Sequence, residues 1–118
     1  MKKYTIINPD PTLQANLMVF GFETGRGWYP LIYELLNKLQ AIEDRDGIGL
    51  EITQIKEKFG GLRVYTNIGT DEIWNLIEEY GEKSFTICEI CGKPGKLRNN
   101  HGWYTTLCDS CQEREEKE

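Results

Sequence analysis

All four cysteines of this chain lie in two Cys-x-x-Cys pairs, Cys88/Cys91 and Cys108/Cys111, which bracket the sixteen residues 92–107. No other feature limits the fold so narrowly. A Cys-x-x-Cys turn brings two sulfurs to one side of the chain, and two such turns supply the four tetrahedral ligands of a Zn²⁺ ion. Sixteen residues suffice for a short hairpin that returns the second pair to the first. The alternative, a pair of redox motifs, calls for a strand–helix–strand setting that neither pair has. With every coordination position filled by a thiolate, the ion has no place for water or substrate, and its expected role is structural.

The two pairs differ. Cys91 is followed by Gly92, as in a zinc knuckle, whereas Cys111 runs into "QEREEKE", helical in composition and free of glycine. Knuckle, hairpin and ligand-bearing helix describe a treble clef. A length of 118 residues suits one domain. Within it we expect an α+β part over 1–83 and a zinc-binding module over 84–118, with no low-complexity linker between them. The opening "MKKYTII" is basic then apolar, but "NPDP" cuts it short. A secretory signal needs an apolar run of roughly 7–15 residues, and no run is long enough to span a bilayer. A cytoplasmic protein is therefore expected, where cysteines stay reduced and favour metal over disulfides.

The remaining elements follow from periodicity. Asp10-Pro11 reads as a helix start, with Leu13, Leu17 and Phe20 facing the core. "GFETGRGWYP" reads as a glycine-punctuated loop. Leu31, Leu35, Leu39 and Ile42, widened by Ile32 and Leu36, predict a helix over about residues 30–43, ended by Gly47 and Gly49. "LEITQIKEKFGGLRVYT" predicts a β-hairpin in which Leu50, Ile52 and Gln54 alternate with Glu51, Thr53 and Ile55, and Gly60-Gly61 forms the turn. Thr70 then caps a second helix over about residues 70–83, with Asp71 and Glu72 in its first turn and an apolar stripe of Ile73, Trp74, Ile77 and Tyr80. The fold class is α+β: two main helices and a β-hairpin with a C-terminal, treble-clef-like zinc module of four cysteines.

Charge points to function. The formal net charge is −5; four thiolates (−4) and one Zn²⁺ (+2) would take it to −7. Such a balance disfavours duplex DNA, for which phosphate neutralisation dominates affinity. Yet three aromatic-bearing segments hold seven of the fourteen cations. The bracketed stretch has Lys93, Lys96 and Arg98 with Trp103 and Tyr104. "KEKFGGLRVY" has Lys56, Lys58 and Arg63 with Phe59 and Tyr65. "GRGWYP" has Arg26 with Trp28 and Tyr29, just before a helix N-terminus, a natural place for an anion. Cations beside stacking rings suit nucleotides. The plainer alternative is that these cations are solvated, that Trp103 packs on the zinc site, and that Phe59 and Trp28 are core residues. The expected ligand set is Arg26, Trp28, Lys56, Lys58, Arg63, Lys96, Arg98 and Trp103. Arg63, Lys96 and Arg98 are expected to gather into one anion site bordered by Trp28 or Trp103.

Metal-dependent HNH nucleases also use a treble clef, and "NNH" at 99–101 sits inside this one. Their chemistry needs several histidines, and His101 is the only one in the chain. No nucleophile–base set marks a hydrolase either, so no catalytic residue is assigned and a non-enzymatic protein is expected.

"IKEKFGGLRVY", a helix, and then "CEICGKPGKLR…GWYTTLC", together with "GWYPLI", resemble a family of small uncharacterised bacterial and phage proteins over roughly residues 21–112. These carry a KEKFGGLRFY-like segment and a CEVCG…GW..TLC zinc module. Many end the second pair in histidine; Cys111 stands there instead, which preserves zinc ligation. The resemblance implies a bacterial or phage origin. Small phage proteins without catalytic residues often act on host defence, by blocking a protein or by sequestering a nucleotide signal. Two functions are therefore carried forward: capture of a phosphate-bearing ligand, either a nucleotide or a short single-stranded nucleic acid, and docking on a host protein as an inhibitor. No membrane partner is expected.

Overall fold

The computed structural model describes Ile6 and residues 22–117; the helix start at Asp10-Pro11, with Leu13, Leu17 and Phe20, lies outside them. The chain order is β1 (Phe22–Glu23), a 3-10 turn (Arg26–Trp28), α1 (Tyr29–Asp46), β2 (Ile52–Lys58), β3 (Gly61–Thr66), α2 (Asp71–Ser84), β4 (Lys96–Asn100), β5 (Trp103–Leu107) and α3 (Asp109–Lys117). The class is α+β, with the four cysteines clustered near the C-terminus. The apolar stripe of α1 behaves as its spacing predicts: Leu31, Ile32, Leu35, Leu36, Leu39 and Ile42 are all buried. The helix runs three residues past the expected end. It stops at Gly47, whose φ of 58° is left-handed, a conformation open to glycine at little cost. The Glu43 side chain then accepts from the backbone amides of Ile48, Gly49 and Leu50, which turns the chain into β2.

In the first sheet β1 pairs parallel to β2 and β2 antiparallel to β3. The expected loop "GFETGRGWYP" thus contains a short strand and a 3-10 turn. Strict alternation along β2 fails at one point. A register shift between Ile52 and Gln54 is a bulge that turns Ile55 to the buried side, where it opposes Val64 and is 2% exposed. Alternation read from the sequence put Ile52 and Ile55 on opposite faces, because a single extra residue leaves no mark in composition.

The turn is also displaced by one residue from the expected Gly60-Gly61. Lys58 pairs with Gly61, so the loop residues are Phe59 (φ 53°) and Gly60 (φ 84°), the positive pair of a type I′ turn. Gly61 begins β3, and there a Cβ would overlap the Phe85 ring. Gly60→Val is expected to lower stability by about 2 kcal/mol, since a β-branched residue resists this backbone. The branched side chain would also meet Leu97 Cδ1 and the Thr105 backbone. A urea midpoint unchanged by the substitution would contradict the turn.

Helix α2 starts where expected: the Thr70 hydroxyl oxygen accepts from the Ile73 amide, and Asp71 and Glu72 sit at the positive end of the helix. Ile73 and Tyr80 are fully buried, with Leu76 and Ile77 packed beside them. Trp74 does not belong to this stripe. It lies about 100° round the helix from Ile73, is 62% exposed, and stands so close over Gly69 that a Cβ there would come within 2.5 Å of its Nε1.

Several hydrogen bonds tie the C-terminal module to the rest. The Leu62 amide donates to Ser84 Oγ at 2.9 Å. Thr106 Oγ1 donates to the Gly60 carbonyl at 2.7 Å. The Gly27 amide donates to the Glu89 carbonyl at 2.7 Å, and Trp28 Nε1 donates to the Ile87 carbonyl at 2.8 Å. Among the described residues no helix is long and apolar enough to cross a membrane.

Candidate metal centre

Cys88 and Cys91 lie on a knuckle closed by the Gly92 amide donating to the Cys88 carbonyl (2.9 Å) and the Cys88 amide donating to the Lys93 carbonyl (2.8 Å). Gly92 has φ 82°, so the glycine that follows Cys91 has a conformational reason. The β4–β5 hairpin pairs from Lys96↔Leu107 to Asn100↔Trp103 and returns the chain to Cys108. That residue immediately precedes α3, and Cys111 sits in the helix's first turn.

All four sulfurs lie within 4.8 Å of one another, and Cys91 and Cys108 are 3.5 Å apart. Tetrahedral Zn–S bonds of ~2.3 Å place sulfurs about 3.8 Å apart, so the cluster is the size of one coordination sphere. No disulfide joins them. Cys88, Cys108 and Cys111 are buried, and Cys91 is exposed. Burial raises the Cys88 thiol, but hydrogen bonds from the backbone of Cys108, Cys91 and Ile90 outweigh it and take it down to about 6. The Cys111 backbone lowers Cys108. Burial, helped by the thiols of Cys108, Cys88 and Cys91, pushes Cys111 up to about 12. Four sulfurs this close resist joint ionisation, and a divalent cation among them removes that resistance. The four cysteines could hold one metal ion.

The segment Gly25–Trp28 straps the knuckle from outside. A Cβ on Gly27 would overlap the Cys88 carbonyl and lie 2.6 Å from the Gly92 nitrogen. A Cβ on Gly25 would overlap the Glu89 carbonyl. The Gly25 amide donates to Glu89 Oε2 at 2.9 Å. Burial holds the Glu89 carboxyl above its usual range, against the opposing pull of that amide. Sequence reasoning missed this role for Gly25, Gly27 and Glu89. The available signal was the spacing "GRGW": two glycines flanking one residue next to a large aromatic.

The expected ligand residues separate. Trp28 is fully buried and belongs to the core and strap, not to a ligand surface. Arg98 is engaged: its Nε donates to the Leu107 carbonyl at 3.1 Å and its Nη2 meets Asp109 at 2.6 Å. The guanidinium holds the Asp109 carboxyl below its usual range, with Lys96 contributing. The expected anion site of Arg63, Lys96 and Arg98, bordered by Trp28 or Trp103, is therefore corrected, because a carboxylate already pairs Arg98 and Trp28 is inside. Arg26 is exposed between its two glycines. Trp103 is 71% exposed and does not pack on the metal cluster. It lines an open groove of about 630 Å³ with Glu89, Ile90 and His101. His101 is an exposed turn residue with φ 57°.

Lys56, Lys58, Arg63 and Tyr65 stay together. Lys56 lies directly opposite Arg63 and Gln54 opposite Tyr65, so these side chains share the outward face of the β2–β3 hairpin. Phe59, at the turn, is 64% exposed, against the reading of it as core. A second groove, about 420 Å³, runs between β3 and α2 and is lined in part by Arg63, Tyr65, Trp74, Phe85, Glu78 and Glu82. Compared with known proteins, the chain matches no family model, no curated protein and no solved structure.

Proposed function

We propose that the chain is a zinc-stabilised, non-enzymatic binding protein that captures a phosphate-bearing ligand on the outward face of the β2–β3 hairpin. An all-thiolate set suits Zn²⁺, and its four sulfurs leave no open coordination position for chemistry. One observation carries the reading of the face. Lys56, Lys58 and Arg63 share it, and among the residues whose side chains are described none of the three forms an ion pair with a carboxylate; Glu23 on β1 is in register with Lys56. Like charges directly opposite each other weaken a hairpin, and this pairing stands in a chain of net charge −5. An anion that bridges the cations would relieve the repulsion through charge-assisted hydrogen bonds.

The test is calorimetry with phosphate-bearing ligands at low and physiological salt. Wild type is expected to bind more weakly as salt rises. Lys56→Ala with Arg63→Ala should lose roughly tenfold or more in affinity, about 1.4 kcal/mol, without loss of hairpin stability. Arg98→Ala, by contrast, should act on the metal module. Equal affinity for wild type and the double variant would overturn the reading. The alternative, an inhibitor that docks on a host protein, draws on the groove beside Trp74: an exposed indole next to Tyr65 and Phe85 is the kind of anchor surface protein partners use.

A further inference from the structure

We infer that the ligand of this face is a single-stranded nucleic acid, and that Phe59 is the residue on which one of its bases stacks. The inference rests on the phosphate-binding reading and names its substrate class. Phe59 is in the left-handed backbone region, φ 53°, at the first loop position of the turn. That region is a steric outlier for a bulky side chain, and this turn favours Asn, Asp or Gly there. A ring in such a position is normally explained by what it packs against, yet Phe59 is 64% exposed. The fold therefore bears a backbone strain and leaves the ring in water. Residues that break a local rule for a small internal gain, here the Lys58 ammonium over the ring, mark contact sites.

The neighbours supply the rest of the contact. Lys58 Nζ lies 5.6 Å from the centre of the Phe59 ring and Lys56 Nζ 5.5 Å from that of Tyr65. Each ring thus has a cation over one face, which can reach the phosphate of a nucleotide whose base stacks on the other face. Lys56 and Lys58 are two residues apart on one strand, about 6.6 Å along the face, so successive contacts follow the strand axis. Glu57 does not oppose this: it points to the other side, where its carboxylate accepts from the Gly60 amide at 2.7 Å and braces the turn.

The shape selects the ligand class. A mononucleotide site is concave and buries most of its ligand. Arg63 and Tyr65 line one edge of the 420 Å³ groove, but Lys56, Lys58 and Phe59 line neither that groove nor the 630 Å³ one. An open face gains affinity instead by summing small stacking and phosphate contacts along a chain. A duplex keeps its bases stacked on one another and offers none to Phe59.

Fluorescence anisotropy with labelled oligothymidylate, oligouridylate, a self-complementary duplex and, as competitor, thymidine monophosphate tests this on the whole 118-residue chain, loaded with metal. Single strands should bind in preference to duplex and monophosphate, with log affinity falling against log salt at a slope of about −2 for three phosphate contacts. Phe59→Asn should weaken single-strand binding roughly tenfold, leave that slope unchanged, and melt no lower than wild type. Phe59→Trp should restore the affinity. If Phe59→Asn binds single strands as wild type does, or melts well below it, the inference falls while phosphate capture stands. Equal binding of duplex or monophosphate overturns the single-strand class alone. If wild type binds none of these probes, and neither nucleotides nor phosphate in calorimetry, the underlying reading falls with it.

Discussion

Cys108→Ser is expected to lose the bound metal and to unfold residues 84–117 at temperatures where wild type is intact. Apparent binding energies of structural zinc sites run to about 10–16 kcal/mol at neutral pH, comparable to the whole stability of a small domain, about 5–15 kcal/mol. The module has little core of its own. Its own buried apolar cluster consists of Leu107 with Cys88, Cys108 and Cys111, so removing the ion leaves three buried sulfurs and one leucine as a core. The damage should spread, because Thr106 anchors Gly60 and Ile87 anchors Trp28. Elemental analysis and thermal melts with and without chelator check the prediction. A Cys108→Ser chain that keeps the full melting temperature would refute it.

Gly27→Ala should also be damaging, although it adds only a single methyl group. That methyl would overlap the Cys88 carbonyl and press on the Gly92 nitrogen and the Glu89 carbonyl carbon. All three are backbone atoms of the knuckle and cannot rotate aside. A loss of about 3 kcal/mol is expected, the upper part of the range for overpacking, together with weaker metal retention. Trp28→Ala should cost about 3–5 kcal/mol from the vacated volume, with the bond to Ile87 lost as well. Arg26→Ala, next to Gly27 but exposed, should leave the stability within about 0.5 kcal/mol of wild type. Urea unfolding of the three variants gives the order. A benign Gly27→Ala would mean that the strap does not seat on the knuckle.

These contrasts show what was legible in the residues. The metal cluster was, because two Cys-x-x-Cys turns have few other uses. So was α1, because Leu31 to Ile42 recur at a spacing only a helix satisfies. The knuckle-then-helix order followed from Gly92 against "QEREEKE". What escaped were features set by pairing and close approach. The bulge before Gln54 changed which face Ile55 occupies. The turn slid back to Phe59 because Gly61 was needed under the Phe85 ring. Trp74 fell off its stripe because Leu76 took the core position. Long-range docking was equally silent: nothing in "GRGW" says that its glycines press on residues more than sixty positions away. The cationic segments were visible, but only the structure separates Arg98, tied to Asp109, from Lys56, Lys58 and Arg63, which have no carboxylate partner among the residues whose side chains are described.

On this reading a metal-pinned C-terminal module supports a hairpin whose outward face meets a nucleic-acid strand. Backbone amide shifts of the isotopically labelled, zinc-loaded protein titrated with oligothymidylate test this most directly. The shifts should concentrate on residues 54–65, with Phe59 and Arg63 among the largest, and leave the amides of Cys88, Cys108 and Cys111 in place. Shifts centred on the Trp103 groove or on α2, or no shifts at saturating oligonucleotide, would contradict it.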